Sequence, residues 1–217
     1  MNKREVLQRI HEIGIVPVVR ASSTDEALAA ASAIKAGGIP ILEITMTVPG
    51  ALRVMEEVTA RYGDEVLVGA GTVLDAETAR ACILAGAQFI VSPALNVKMI
   101  ELCSRYGIAT MPGALTPTEV LTAWQAGADV VKVFPCGAMG GAKYLRALKA
   151  PFPQIDLIPT GGVSLANAQE FIAAGAWALG IGSELVDVKA LRAGQQEIIT
   201  SSARELLALV FKARHDS

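Results

Sequence analysis

The sequence predicts an α/β fold, a single-domain (β/α)8 TIM barrel with one extra N-terminal helix. Three observations carry that prediction. First, a phrase recurs in which a helix-like segment ends in glycine and a short β-branched run follows. It stands at Lys35-Ala36-Gly37-Gly38, Tyr62-Gly63, Leu84-Ala85-Gly86-Ala87, Tyr106-Gly107, Gln125-Ala126-Gly127-Ala128 and Ala174-Gly175-Ala176. A period of roughly 20 to 25 residues is one βα unit, each glycine serving as a helix C-cap. Second, the runs suited to strands come to eight, the number that closes a barrel. Third, 52% of the 217 residues are hydrophobic, 18% are charged and only 5% are aromatic. Such a core is built from Ala, Val, Ile and Leu, the residues of strands buried on both faces.

Taken in order, residues 2 to 13 form a helix before the first strand, placed to plug the bottom of the barrel. Strands follow at Ile15 to Val19, Ile41 to Thr45, Val66 to Ala70, Gln88 to Val91, Ala109 to Met111, Val130 to Phe134, Leu157 to Pro159 and Ala178 to Ile181. Two helix starts are signalled independently. Ser23-Thr24-Asp25-Glu26 and Thr116-Pro117-Thr118-Glu119 have the capping-box form, the second with proline in the first turn. Between about 130 and 175 one glycine mark is missing, and Pro151 and Pro153 punctuate the chain instead. After Ile181 a last helical stretch runs to about Ala213, broken near Gly194. No linker rich in Gly, Ser or Pro divides the chain, so residues 1–217 read as one domain. The alternative is an open doubly wound sheet, whose phosphate fingerprint would follow the first strand. Val19-Arg20-Ala21-Ser22 stands there, without glycine.

The charge balance, 19 basic against 21 acidic residues, leaves no extended basic face to attract nucleic acid. Charges, Gly or Pro interrupt every apolar run before the roughly 18 to 20 residues of a bilayer span, so no membrane segment is expected. The N-terminus carries charges where a signal peptide would be apolar, which points to a cytoplasmic protein. Cys82, Cys103 and Cys136 are odd in number and widely spaced, as reduced core thiols are. His11 and His215 fall in terminal helices and no carboxylate cluster has ligand spacing, so neither a metal nor another cofactor is expected. No G-x-S-x-G elbow suggests a serine hydrolase. Trp124 and Trp177 read as packing or subunit-interface residues.

Two charges stand inside strands. Lys132 lies in Val130-Val131-Lys132-Val133-Phe134-Pro135, where an ammonium is costly to desolvate and the neutral amine can attack a carbonyl. It is the candidate nucleophile. The plainer alternative is a lysine that snorkels to water or pairs with a buried carboxylate. Glu43, in Ile41-Leu42-Glu43-Ile44-Thr45, alternates away from Leu42 and Ile44 and is the candidate acid/base. Its alternative role is simply to neutralise Lys132 or Arg20. Other unusual residues collect at the C-terminal ends of strands, where barrels place their chemistry: Arg20, Thr45, Gly71 and Thr72, Ser92 and Pro93, and Phe134. Two glycine turns, Thr160-Gly161-Gly162 and Gly180-Ile181-Gly182-Ser183, follow the last two strands. Leading into helices, they would offer backbone N–H groups and helix dipoles to a phosphorylated ligand.

Glu43-Ile44-Thr45, Gly69-Ala70-Gly71-Thr72-Val73, Val91-Ser92-Pro93, Met111-Pro112-Gly113, Val131-Lys132-Val133-Phe134-Pro135 and Pro159-Thr160-Gly161-Gly162-Val163 occur in that order. From about Ile15 to Ser183 the chain resembles the bacterial 2-keto-3-deoxy-6-phosphogluconate (KDPG) aldolases, also called 4-hydroxy-2-oxoglutarate aldolases, of the class I pyruvate type. The resemblance implies a lyase in which Lys132 forms a Schiff base and Glu43 moves protons through a water, giving pyruvate and glyceraldehyde 3-phosphate. It implies that Thr72 holds the pyruvyl carboxylate, that Pro93 and Phe134 shape the pocket, and that Thr160, Gly161, Gly162, Gly182 and Ser183 bind phosphate. A homotrimer is implied as well. One departure stands out. Many members have an arginine two residues after the strand-two threonine, gripping the carboxylate, where this chain has Thr47. Arg20 is the expected substitute, its fork suiting a carboxylate. Alternatives are an aldolase for the 6-phosphogalactonate epimer, a phosphosugar isomerase, or a non-catalytic phosphosugar-binding barrel.

Overall fold

A computed structural model describes residues 1–215. Helix α1 (Lys3–Ile13) precedes β1 (Ile15–Val19), followed by α2 (Thr24–Ala36), β2 (Ile41–Thr45), α3 (Ala51–Tyr62), β3 (Leu67–Gly71) and α4 (Ala76–Leu84). Then come β4 (Phe89–Val91), α5 (Val97–Arg105), β5 (Ala109–Met111), β6 (Gly113–Ala114), α6 (Pro117–Gln125), β7 (Val131–Val133) and α7 (Ala142–Lys149). The chain closes with β8 (Leu157–Pro159), α8 (Ala168–Ala173), β9 (Leu179–Ile181), α9 (Val188–Arg192) and α10 (Gln196–His215).

All strands pair in parallel, so the protein has an α/β fold with a curled parallel sheet. Six run in the order β5-β4-β3-β2-β1-β9 and three in the order β6-β7-β8. A single bridge, Thr160 with Gly180, joins the end of β8 to β9. Every residue of β1, β2 and β3 is buried, because helices cover one face and side chains of the other strands the opposite one. The core is aliphatic as expected, Phe89 and Phe171 being the fully buried aromatic rings among the described residues.

The expected strand at Ala109 to Met111 forms, and a further short strand follows it. Residues 109–114 form β5 and β6, interrupted at Pro112, which has no N–H to give a ladder. At that point the partner changes: β5 pairs with β4, while Gly113 pairs with Lys132 of β7. The helix ends follow local chemistry. Thr116 and Glu119 make the full capping box, and Asn2 with Glu5 makes another at α1. At α2 only half forms: Ser23 accepts from the Glu26 N–H at 3.2 Å, but the Glu26 carboxylate turns elsewhere. Helix α10 buries Ile199, Ala203, Leu206 and Val210 along one stripe, and Thr200 Oγ1 donates to Ala33 O at 3.0 Å. Among the described residues no helix is long and apolar enough to cross a membrane.

Candidate active site

Parallel pairing sets the stage for the two strand charges. Glu43 is level with Gly69 of β3, and Lys132 is level with Gly113 of β6 and Ile158 of β8. Both side chains point into the space the strands enclose, where Lys132 is 4% exposed and Glu43 2% exposed. Lys132 Nζ stands 3.7 Å from Glu43 Oε1. That is within reach of an ion pair but longer than a hydrogen bond. Oε1 has no hydrogen-bond partner among the described residues. A buried carboxylate oxygen is normally claimed, and the group facing this one is the Lys132 ammonium. The Phe134 ring lies 5.5 Å from the ammonium, on the same side of the strand.

Glycine makes room for the carboxylate. A Cβ on Gly71 would stand 2.0 Å from Glu43 Oε1, so any other residue there would evict it. The next residue, Thr72, has φ 57°, a left-handed backbone that costs a β-branched residue about 1–3 kcal/mol. Thr45 Oγ1 donates to Val19 O at 3.2 Å and shares a 2.7 Å hydrogen bond with Thr47 Oγ1. Position 47 thus presents a hydroxyl rather than a cation. Ser92 Oγ donates to Ala94 O at 2.6 Å and accepts from the Gly113 N–H at 3.3 Å, fixing the half-buried Pro93 beside the strand that neighbours Lys132.

A second group converges next door. Arg20, Phe134, Thr160, Gly161, Gly162, Gly182 and Ser183 all line one small cavity of about 90 Å³, together with Val18, Val163 and Glu184. The N–H groups of Gly162 and Ser183 donate to no acceptor among the described residues. Gly161 O accepts from the Gly137 N–H at 2.8 Å and Gly162 O from Asn167 Nδ2 at 2.8 Å, so the turn is held by its carbonyls and the Gly162 donor is left over. The left-handed φ of Gly161 (83°) and Gly162 (79°) is what allows this path. The expected helix directly behind each turn is absent. Asn167 Oδ1 accepts from the Ser164 N–H at 2.8 Å and delays α8 to Ala168, and the helix after Ser183 does not begin until Val188. Bare backbone donors and Arg20, rather than helix dipoles, give the cavity its appeal to anions.

Three further features surround the site. Gly180 seats Thr160, since a Cβ there would stand 2.2 Å from Thr160 Oγ1. Glu184 brings a carboxylate to the cavity rim. Glu26, read as part of a capping box, instead accepts from Ser22 N, Ser22 Oγ and Arg192 Nε. The Arg192 hydrogen bond is the largest reason its carboxyl is held at about 2, so it is charged throughout the neutral range. The thiol nearest the site, Cys136, is fully buried and pushed up to about 11 by that burial, which leaves it unreactive. Roomier hollows of about 460 Å³ beside Trp177 and about 590 Å³ beside Phe211 contain neither Lys132 nor Glu43.

Against known proteins, the model of the family described as KDPG and KHG aldolase matches residues 6–202. This chain belongs to that family. It is an aldolase, hence a carbon–carbon lyase. The aldolase is 36% identical over 191 residues to the KHG/KDPG aldolase of Escherichia coli K12, covering 88% of this chain and 89% of that protein. It is equally 36% identical, over 200 residues, to the 2-dehydro-3-deoxy-6-phosphogalactonate aldolase of the same organism, covering 92% and 94%. Among solved structures, the KDPG aldolase of Legionella pneumophila with pyruvate captured as a covalent carbinolamine superposes with a TM-score of 0.85 at 29% identity, covering 92% of this chain and 96% of that one.

Proposed function

We propose that this aldolase cleaves 2-keto-3-deoxy-6-phosphogluconate to pyruvate and glyceraldehyde 3-phosphate through a Schiff base on Lys132, without metal or other cofactor. The observation that carries the reading is the buried Lys132 amine 3.7 Å from a Glu43 carboxylate with one oxygen unclaimed. The amine attacks the keto carbon, and the carbinolamine loses water to give an iminium. Glu43, through a water, takes the proton of the C4 hydroxyl as the C3–C4 bond breaks, and the bonding electrons flow into the iminium to form an enamine. The aldehyde leaves, Glu43 returns its proton to C3, and water releases pyruvate and restores the amine. Thr72 holds the pyruvyl carboxylate, with Thr45, Pro93 and Phe134 shaping that end.

Thr160, Gly161, Gly162, Gly182 and Ser183 take the phosphate. The sequence suggested Arg20 for the carboxylate. Its place in the cavity lined by the two glycine turns instead favours the phosphate, to which its fork is equally suited. Among the described residues no hydrogen bond or ion pair claims its guanidinium, which is therefore open to an incoming anion.

A second reading, the galactonate epimer, is favoured by the equal identity to the phosphogalactonate enzyme and by Thr47 in the place of an arginine. The test is a coupled assay of pyruvate release from each epimer and from 4-hydroxy-2-oxoglutarate. The gluconate epimer should give the highest kcat/KM. A reversed order would establish the second reading, and no pyruvate from any of them would leave a phosphosugar-binding barrel.

Gly71→Ala checks the seat of the carboxylate. Overpacking there is expected to cost about 1–3 kcal/mol of stability, read from thermal melting. Turnover should fall by at least about tenfold, because Glu43 must swing off its line. Wild-type turnover in a folded variant would show that this placement of Glu43 is not needed.

The proposal extends to the architecture. The two sheets act as one closed ring of eight strand positions, with β5 and β6 sharing one, in a single domain over residues 1–217. The Thr160–Gly180 bridge and the donation of Asp129 and Val130 N–H to Thr110 O support closure at both joints. Helix α1 covers the base, supported by the 2.7 Å ion pair of Lys3 with Asp129 just ahead of β7. A cytoplasmic homotrimer completes the proposal. Leu84, Tyr106 and Trp124, exposed at 70%, 50% and 43% at the ends of three successive helices, support a buried subunit contact.

A further inference from the structure

We propose that Ser22, Glu26 and Arg192 form a clasp that positions Arg20 over the phosphate cavity before substrate arrives. The proposal rests on the reading of that cavity as the phosphate end, and it concerns how the cavity keeps its shape. β1 and β9 pair through Pro17 with Ile181, and beyond that point their continuations part. One carries Arg20, the other Gly182, Ser183 and Glu184, all of which line the cavity.

The two paths meet again farther out. Arg192, the last residue of α9, donates from Nε to Glu26 Oε1 at 2.7 Å and from Nη2 to Ser22 Oγ at 2.9 Å. Glu26 Oε2 in turn accepts from Ser22 N at 2.9 Å and Ser22 Oγ at 2.8 Å. One carboxylate therefore fixes the backbone two residues after Arg20 and holds the arm that follows Ser183. It does so in place of the capping bond it would otherwise make to the N-terminus of its own helix.

The Arg192 side chain is 57% exposed, and an ion pair so open to solvent on one side contributes little to stability, so holding the fold together is not its use. Geometry gives it one. Glu184 lines the same cavity with the opposite charge, and a dianion gains there only while Arg20 stays close enough to outweigh that carboxylate. A loosened Arg20 loop would weaken phosphate binding and leave the imine chemistry untouched. Ser22, Glu26 and Arg192 are thus positioning residues, acting through Arg20.

The test compares wild type with Glu26→Gln, Arg192→Met and Arg20→Ala on the phosphorylated substrate and on unphosphorylated 4-hydroxy-2-oxoglutarate. Glu26→Gln and Arg192→Met should raise KM for the phosphorylated substrate roughly tenfold, with kcat within about twofold. Cleavage of 4-hydroxy-2-oxoglutarate, thermal melting and the yield of borohydride-reduced pyruvate adduct should stay at wild-type levels. Arg192→Lys, which keeps the charge but not the fork, should recover part of the loss. If Arg20→Ala raises the phosphorylated KM while neither clasp variant does, the clasp is refuted and the cavity assignment stands. If Arg20→Ala leaves that KM unchanged, the cavity assignment falls and the clasp with it. Equal KM rises on both substrates would also overturn the proposal, since a general loosening of the fold would act on both.

Discussion

Lys132→Met protein incubated with pyruvate and borohydride will gain no mass, whereas the wild type will gain one reduced pyruvyl group on the peptide containing Lys132. Cleavage should fall by at least about 10⁴-fold, because no other amine among the described residues shares the buried space with Glu43. Methionine matches the lysine stem, so packing is largely kept. The cost comes from the partner, for breaking a buried ion pair from one side typically costs about 3–5 kcal/mol. The double variant Lys132→Met with Glu43→Gln should regain much of that stability and none of the activity. A trapped adduct in the single variant would move the nucleophile elsewhere.

Glu43→Gln separates proton transfer from imine formation. The pyruvate adduct should still be trapped, because the amine is intact. Exchange of pyruvate methyl protons with solvent deuterium, which requires the enamine to lose and regain a proton, should slow by about 10²- to 10⁴-fold, and cleavage with it. Exchange at the wild-type rate would remove Glu43 from the proton path and leave it as a counter-charge to Lys132.

Much of the scaffold was legible in the chain because the signals are local. The strands at Ile15–Val19, Ile41–Thr45, Ala109–Met111 and Leu157–Pro159 coincide with the expected ones, each an apolar run with sharp punctuation. In the sequence Pro112 stands only as the centre of the Met111-Pro112-Gly113 motif. That the strand resumes beyond it and changes partner depends on which ladder is missing a donor, and one chain's order does not reveal that. Lys132 and Glu43 were conspicuous as charges within apolar runs, and their separation of 3.7 Å is a property of the assembled strands. Arg20 stands out at its strand end, but which end of the substrate it faces is not legible there, because most of the cavity it lines comes from residues more than a hundred positions away. The Glu26 reading failed for a related reason. A capping-box pattern specifies what a carboxylate can do locally, and Arg192, 166 residues distant, offered it a charged donor.

β8 and β9 are joined by the Thr160–Gly180 bridge and, at the other end of β8, by the Trp177 N–H donating to Leu157 O at 2.9 Å, and the glycine turns of the small cavity continue from those same two strands. The molecule therefore has a seam, and its mouth is where the anion would bind. A phosphate held by Gly161, Gly162 and Ser183 would work as a staple across it, gripping both lips at once. Amide hydrogens along residues 157–163 and 179–183 would then exchange more slowly in the presence of inorganic phosphate, tying ligand occupancy to the mechanical closure of the wall.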